Sequence, residues 1–442
     1  MSSNSNTITN SESPEKQKSV CVITNGCIEC RMDCAQLDCF FQESSDFRLC
    51  KDAKKADLIV FKGCALHQEK EELSCQIIKA LECIKRVDAQ TLVTGCVAKI
   101  RPELVCNGDK FTGLINQINR LSRLEGKQNF AANFPYPEFW QIANDLLGLR
   151  IGNDLTSKYC HRNPEALLLG VYPELHTGLI RLFTKYRRLI DKEMLVPCNK
   201  TFCIKVSTGC MGNCSYCSIK LARGRIKSKP IDAVVEEFEQ GLEQGYKDFA
   251  LLGTDIGDYG KDLGTDLLDL LEKLVLRKGK LTLRLRNVNP RWLIPSASLF
   301  CELLKTGKIG YLLSPVESGS NRILERMNRR YQIEDYVEAV RKIRIAYPQI
   351  FMKTQIMVGF PGETDEDFSK SKELFGLGLF NYVDVYGYSK RPNTKASRMP
   401  DEVPEEIITK RYRKLLFRSF FQLPLERWFS ICTLKRKSGL EI

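Results

Sequence analysis

Residues 202–230 read FCIKVSTGCMGNCSYCSIKLARGRIKSKP, and the rest of the chain is best read outward from this stretch. A short apolar run, FCIKVS (202–207), leads into a loop with Cys210, Cys214 and Cys217 at C-x3-C-x2-C spacing. Downstream, candidate strands FALLG (249–253), LTLRLR (281–286), YLLSPV (311–316), MKTQIMVG (352–359) and YVDVYGYS (382–389) alternate with helical stretches such as Ile231 to Gln244 and Ile333 to Ala346. Strands alternating with helices predict a parallel sheet. Six such units predict a partial (β/α)6 barrel with its chemistry at the C-terminal ends of the strands.

Three thiolates at this spacing can hold three irons of a [4Fe–4S] cubane and leave the fourth iron open. An open iron can chelate the amino and carboxylate groups of S-adenosylmethionine (SAM). An electron from the reduced cluster then cleaves the sulfonium and gives a 5′-deoxyadenosyl radical. The competing reading is zinc, which normally takes four ligands, so a fourth would have to come from elsewhere, such as Cys203. Zinc sites also favour paired C-x2-C units.

Composition agrees with metal chemistry. The 442 residues include 19 cysteines and three histidines, so any cysteine-rich metal site is mostly all-sulfur. Residues 1–18 are polar and lack an apolar core or cleavage site, which reads as a disordered tail and not a signal peptide. No apolar run is long enough to span a membrane, and a cytoplasmic location is expected. The net charge of +13 suits a polyanionic partner such as RNA, or a plain soluble basic surface.

Upstream, SVCVITN (19–25), ADLIVFK (56–62) and TLVT (91–94) are apolar runs with a helical pattern, Gln68 to Arg86, among them. They predict a flavodoxin-like parallel-sheet domain over 19–124. Each run is followed within two residues by a cysteine: Cys27, Cys64 and Cys96. Ligands bind at that edge of open parallel sheets, so three thiols distant in sequence could meet at one rim. Residues 125–200 read as a helical insertion or connector without a motif. The barrel is expected over 201–400, and a basic extension over 401–442, where Lys410 to Lys437 hold nine basic residues and one acidic, Glu426.

GCMGNCSYCSIKLARGRIKSKP (209–230), LLGTDIGDYGKDLGTDL (251–267), RNVNPRWLI (286–294), PVESGSNRILERMNRRY (315–331), IMVGFPGETDEDF (356–368) and RPNTKASRM (391–399) together resemble the radical SAM methylthiotransferases. The archaeal and eukaryotic type that modifies threonylcarbamoyladenosine beside the tRNA anticodon is especially similar. The resemblance covers about 19–120 and 202–420. It implies a second, auxiliary [4Fe–4S] cluster on Cys27, Cys64 and Cys96, whose open iron would hold sulfide or methylsulfide. One SAM would methylate that sulfur, and a second would yield the radical that activates a substrate C–H bond for methylthio insertion. It also implies a reducing protein such as flavodoxin or ferredoxin as partner, and no membrane.

The same resemblance suggests SAM contacts. Tyr216 would lie near the adenine. Thr254 or Asp255 would accept from the amino group. Glu317, and Gly359 and Phe360 in the strand IMVGF, would meet ribose and adenine. Gly359, Pro361 and Gly362 can equally be turn residues. The six basic and no acidic residues of 205–230 suit a phosphate or the SAM carboxylate, or form a solvated loop.

Several positions depart from the family pattern. Cys30, Asp33 and Cys34 stand where Asn and Asp-Ser are usual, Lys62-Gly63 replace Asn-Thr, Glu317 replaces Gln, and Leu313 replaces His. The chain stops about where the family's small RNA-binding β-barrel would begin. The alternatives are therefore the same chemistry on a protein side chain, peptide or small molecule, or a non-catalytic iron–sulfur RNA-binding protein.

Overall fold

A computed structural model describes residues 17–25, 27–65, 68–104 and 201–419. The expected tail up to residue 16, the insertion 125–200 and residues 420–442 lie outside the described residues. Two parallel sheets form. The first is built from β1 (Lys18–Thr24), β2 (Phe47–Leu49), β3 (Leu58–Gly63) and β4 (Gln90–Gly95), with α1 (Ile28–Gln42), α2 (Gln68–Ile84) and α3 (Cys96–Ile100). The strand order β2-β1-β3-β4 is that of a flavodoxin-like sheet, with the switch point between β1 and β3. β3, LIVFKG, is buried at every position, as expected of a central strand covered on both faces. Ile59, Phe61, Ile77 and Val97 pack on one face, and Val20, Leu37, Phe41 and Val60 on the other.

The second sheet starts with β5 (Thr201–Lys205). The two-residue strands β6 (Ser207–Thr208) and β7 (Lys227–Ser228) pair antiparallel and close the base of the cysteine loop. Between them lies α4 (Ile219–Arg223). There follow α5 (Ile231–Glu243), β8 (Asp248–Leu252), α6 (Leu267–Val275), β9 (Thr282–Leu285), α7 (Pro290–Leu304) and β10 (Ile309–Leu313). The chain continues through α8 (Asn321–Arg326), α9 (Ile333–Ala346), β11 (Phe351–Val358), α10 (Asp365–Gly376), β12 (Tyr382–Gly387) and α11 (Glu405–Phe417). The six long strands pair in parallel in the order β5-β8-β9-β10-β11-β12, a partial barrel. α10 shows how sharply the sequence starts a helix: Thr364 and Asp367 form a reciprocal capping box. No described helix is long and apolar enough to cross a membrane.

The first part of the expected basic extension is integral to the barrel. Ile408, Tyr412, Leu415 and Leu416 of α11 belong to its apolar core. Arg411 is buried against Glu363 Oε2 and Asp365 Oδ1, both at 2.8 Å, so this charge is spent on packing and is not offered to RNA.

The two sheets are joined by buried charge. Asp33 on α1 lies between Lys62 Nζ (2.7 Å) and Lys205 Nζ (2.5 Å), with Arg223 Nη1 at 4.0 Å. Arg223 Nη1 also reaches Glu29 Oε2 at 3.1 Å. Arg391, from beyond β12, pairs with Glu71 and donates to Ala65 O at 3.0 Å. Lys229 pairs with Glu237. The basic run 205–230 thus spends Lys205, Arg223 and Lys229 on internal partners.

Burial alone would raise the Asp33 pKa, but Lys205, Lys62 and Arg223 hold it well below the usual carboxylate range. A carboxyl whose folded pKa is depressed stabilises above its unfolded pKa, about 3.9, and loses that contribution only as pH falls through the lower folded value. The docking is therefore expected to be insensitive to pH between about 5 and 8. Asp33→Ala leaves two lysines buried without their carboxylate and is expected to cost about 3–5 kcal/mol, read as a lower urea midpoint. A midpoint equal to wild type would show that the ion cluster does not hold the domains together.

Candidate active site

β5 brings the chain to the C-terminal rim of the barrel, and Gly209 makes the turn into the cysteine loop. Its φ is +79°, and a Cβ there would lie 2.1 Å from Arg225 O, so no other residue fits. The loop backbone is then pinned. Cys210 N donates to Gly224 O (3.2 Å) and Cys217 N to Cys214 O (3.2 Å). Ser215 is clamped from three sides: its N donates to Met327 O (3.0 Å), its Oγ to Arg326 O (2.8 Å), and its O accepts from Ala396 N (2.8 Å). Lys220 Nζ and Asn328 Nδ2 cap Gly212 O and Asn213 O, each at 2.7 Å.

The three thiols of the loop are free and half-buried. Donors surround them. Gly212 N lies 3.1 Å and Arg291 Nη2 3.9 Å from Cys210 Sγ, and Arg329 Nη1 lies 3.6 Å from Cys214 Sγ. Such donors favour sulfur in its anionic, iron-ligating form. Burial, with Asp255 and Asp258 nearby, pushes the Cys210 thiol up to about 12. Burial and Cys214 push Cys217 up to about 11. A metal bound here at neutral pH would release these protons.

The donor set fits a cubane with one open iron and does not fit zinc. Cys203, the candidate fourth zinc ligand, packs among Met32, Ala250 and Leu252. Asp255 and Asp258 come within 4.8 Å of Cys210, but their oxygens have other work. Asp255 Oδ1 accepts from Gly257 N (3.1 Å) and Asn289 N (3.2 Å), and its Oδ2 from Arg291 Nη2 (3.2 Å). Asp258 Oδ1 accepts from Arg291 Nη2 (2.6 Å) and Trp292 Nε1 (2.5 Å), and its Oδ2 from Met211 N (2.5 Å). Asp258, Arg291 and Trp292 thus tie the cysteine loop to the rims of β8 and β9. They lie in 251–267 and 286–294, where no local pattern in the sequence marks them.

The same geometry separates Thr254 from Asp255. Both Asp255 oxygens are engaged, whereas Thr254 Oγ1 is buried without a hydrogen-bond partner among the described residues. An orphaned hydroxyl two residues beyond β8 is an acceptor for an ammonium group. Thr254→Val keeps the shape and removes the acceptor. It is expected to weaken SAM binding about tenfold, from a lost hydrogen bond to a charged group of about 1.5 kcal/mol. Equilibrium binding to the anaerobic protein checks this, and unchanged affinity would release Thr254 from the site.

Tyr216, between the cluster cysteines, packs edge-to-face on Phe360 with centroids 6.4 Å apart. Glu317, at φ +70° and bridged to Ile356, lies beside Tyr216 and Arg329. Burial raises the Glu317 carboxyl pKa, and Arg329 and Tyr216 oppose that rise. Arg329 is itself buried beside Tyr216, Glu317 and Cys214, and was missed from the sequence although it lies in the quoted stretch 315–331. Phe360 has no exposed surface and supports the Tyr216 ring. Gly359 N donates to Glu363 Oε2 at 2.7 Å. At φ +75°, a Cβ on Gly359 would lie 2.3 Å from Ile408 Cγ1, so its requirement for glycine comes from the approach of α11.

A second set of thiols lies at the C-terminal edge of the smaller sheet. Cys27 precedes α1, Cys64 follows β3 and Cys96 opens α3. Asn25 and Ser74 fix the Cys64 turn: Cys64 N donates to Asn25 Oδ1 (2.9 Å), Asn25 Nδ2 to Ser74 Oγ (2.9 Å), and Ser74 Oγ to Cys64 O (2.6 Å). The structure brings the three together. Cys96 is within electrostatic reach of Cys64 and Cys27, and its thiol pKa is lowered, first by a hydrogen bond with Cys30, against burial and with help from Arg223. Arg223 ends α4, which begins just after Cys217.

A parallel partial barrel with a C-x3-C-x2-C loop at its rim is the architecture of a radical SAM enzyme, and comparison with known proteins carries this further. The family model for the radical SAM superfamily matches residues 204–375, and the one described as uncharacterized protein family UPF0004 matches 19–115. The chain is 30% identical over 378 residues to threonylcarbamoyladenosine tRNA methylthiotransferase MtaB of Thermotoga maritima, covering 82% of this chain and 73% of that protein. It is 30% identical over 374 residues to tRNA-2-methylthio-N(6)-dimethylallyladenosine synthase of Pelotomaculum thermopropionicum, covering 82% of this chain and 81% of the relative. Among solved structures, the radical SAM methyltransferase TsrM of Kitasatospora setae superposes with a TM-score of 0.52 at 16% identity, covering 86% of this chain and 77% of that one; this likeness concerns the fold.

The chain belongs to the radical SAM methylthiotransferases, enzymes that use SAM and [4Fe–4S] clusters.

Proposed function

We propose that this enzyme adds a methylthio group to tRNA, at C2 of threonylcarbamoyladenosine next to the anticodon. The observation that supports this most is the similarity, over 82% of the chain, to a Thermotoga maritima protein named for that nucleoside. In this reading Cys210, Cys214 and Cys217 hold the radical SAM cluster, and Cys27, Cys64 and Cys96 hold the auxiliary one. When bound, the first supplies one electron to SAM and the second supplies the sulfur.

The chain's own residues do the rest. Arg291 and Arg329 place positive charge beside Cys210 and Cys214. Thr254 Oγ1 accepts from the SAM amino group, while Tyr216 and Glu317 form the wall that faces the adenosine. Asp255 and Asp258 hold Arg291 and the loop at Met211 and are positioning residues. Arg223 neutralises the second thiol set and fixes its place relative to the first. A flavodoxin- or ferredoxin-type protein would deliver the electron.

Nucleoside profiles of bulk tRNA from cells with and without the gene test the substrate. The expected result is loss of 2-methylthio-threonylcarbamoyladenosine with 2-methylthio-dimethylallyladenosine unchanged. No change in any methylthio nucleoside would remove tRNA as the substrate and leave a peptide or small molecule.

A further inference from the structure

The second thiol set holds one sulfur more than an open iron requires. Cys30, in the first turn of α1, has no exposed surface. Its Sγ lies 3.9 Å from Cys27 Sγ and 3.5 Å from Arg223 Nη2, and Cys96 is within electrostatic reach. Lys62 is within electrostatic reach as well. These are not the surroundings of a packing cysteine. Cys203 sits among Met32, Ala250 and Leu252, and Cys21 packs with Ile23, Ile59 and Phe61. Cys30 belongs to none of the apolar clusters among the described residues. Its neighbours are thiols and a guanidinium, the groups of a metal-binding edge and not of an apolar core.

We propose that Cys30 is a fourth ligand of the auxiliary cluster and closes, in the resting enzyme, the iron that must be freed to take up sulfur. This rests on the reading that Cys27, Cys64 and Cys96 hold that cluster. Loading is then a ligand exchange. The Fe–S bond to Cys30 breaks and its electron pair stays on Cys30. The incoming sulfide or methanethiolate donates its own pair to the same iron, and no oxidation state changes. If methanethiol enters, its proton passes to Cys30. Arg223, on the element that follows the other cysteine loop, receives the released thiolate. The exchange keeps the sulfur-accepting iron capped against water and stray thiols until sulfur arrives.

The test uses the full chain with Cys210→Ala, Cys214→Ala and Cys217→Ala, so that only the auxiliary site loads with 57Fe. In this parent the Mössbauer spectrum is expected to show about four irons, all with sulfur-only ligation. Adding Cys30→Ala is expected to give a roughly three-to-one spectrum with one distinct iron. Methanethiolate, read by its change in the reduced-cluster EPR signal, should then bind at about tenfold lower concentration, a gain of about 1.4 kcal/mol. Cys30→Ser, which keeps the volume, should bind methanethiolate more readily than the parent in the same way. Cys27→Ala in the parent should still hold about four irons, because Cys30 remains as a third thiolate.

A parent with one distinct iron already, and a methanethiolate titration unmoved by Cys30→Ala, would overturn the proposal and leave the auxiliary site intact. Loss of the cluster in Cys27→Ala would do the same. A parent that binds no iron would overturn the auxiliary-site reading, and this proposal with it.

Discussion

Cys214→Ala is expected to lower reductive cleavage of SAM by more than about a thousandfold, equivalent to about 4 kcal/mol of barrier. Cys214 is the central thiol of the loop, and its Sγ faces the Arg329 guanidinium at 3.6 Å. Its removal leaves Cys210 and Cys217, two thiolates where a cubane with one open corner needs three. No described side chain replaces it: Cys203 is held in an apolar cluster, and Asp255 and Asp258 are already bonded to Arg291, Trp292 and the backbone. The fold should survive, because the loop is fixed through the backbone of Cys210, Cys217 and Ser215. The measurement is 5′-deoxyadenosine released with dithionite as reductant, alongside the thermal midpoint. Cleavage within about threefold of wild type would mean that Cys214 is not a ligand.

Replacing Cys64 and Cys96 together is expected to abolish methylthio product while SAM cleavage stays within about threefold of wild type. Both are replaced because Cys30 lies 3.9 Å from Cys27 at the same edge, so a single loss still leaves three thiols there. The double variant leaves only Cys27 and Cys30, too few for a cubane. The radical-generating loop is bound to α8 and to residues near Ala396, not to Cys64 or Cys96, so its chemistry should continue uncoupled. Product is read as the methylthio nucleoside by mass spectrometry, and cleavage as deoxyadenosine from the same sample. Continued product formation would remove Cys64 and Cys96 as carriers of the sulfur site. Loss of both readouts would show that the two thiol sets cannot be separated.

The barrel was legible because its strands are short apolar runs at regular spacing with helical patterns between them. All six observed strands begin and end within three residues of the runs read from the sequence. β2 was not seen: it has three residues, includes exposed Arg48, and forms an edge held by β1 alone. Cys210, Cys214 and Cys217 declare themselves by local spacing. Cys27, Cys64 and Cys96 do so only when three strand ends are known to lie side by side.

What the sequence hid was pairing across long separations. Arg223 reads as one more charge in a basic loop, yet it is held between Glu29, Asp33 and Cys30. Arg329 reads as one of two adjacent arginines, and only the fold shows which of them reaches Cys214. Thr254 and Asp255 are equivalent candidates until both Asp255 oxygens are traced to partners.

Iron and sulfide analysis of the anaerobically reconstituted full chain tests the central claim, that two sets of thiols hold two separate cubanes. Wild type is expected to hold about eight irons. The chain lacking Cys210, Cys214 and Cys217 should hold about four, and so should the chain lacking Cys64 and Cys96. Wild type with about four irons, all lost when Cys210, Cys214 and Cys217 are replaced, would contradict it.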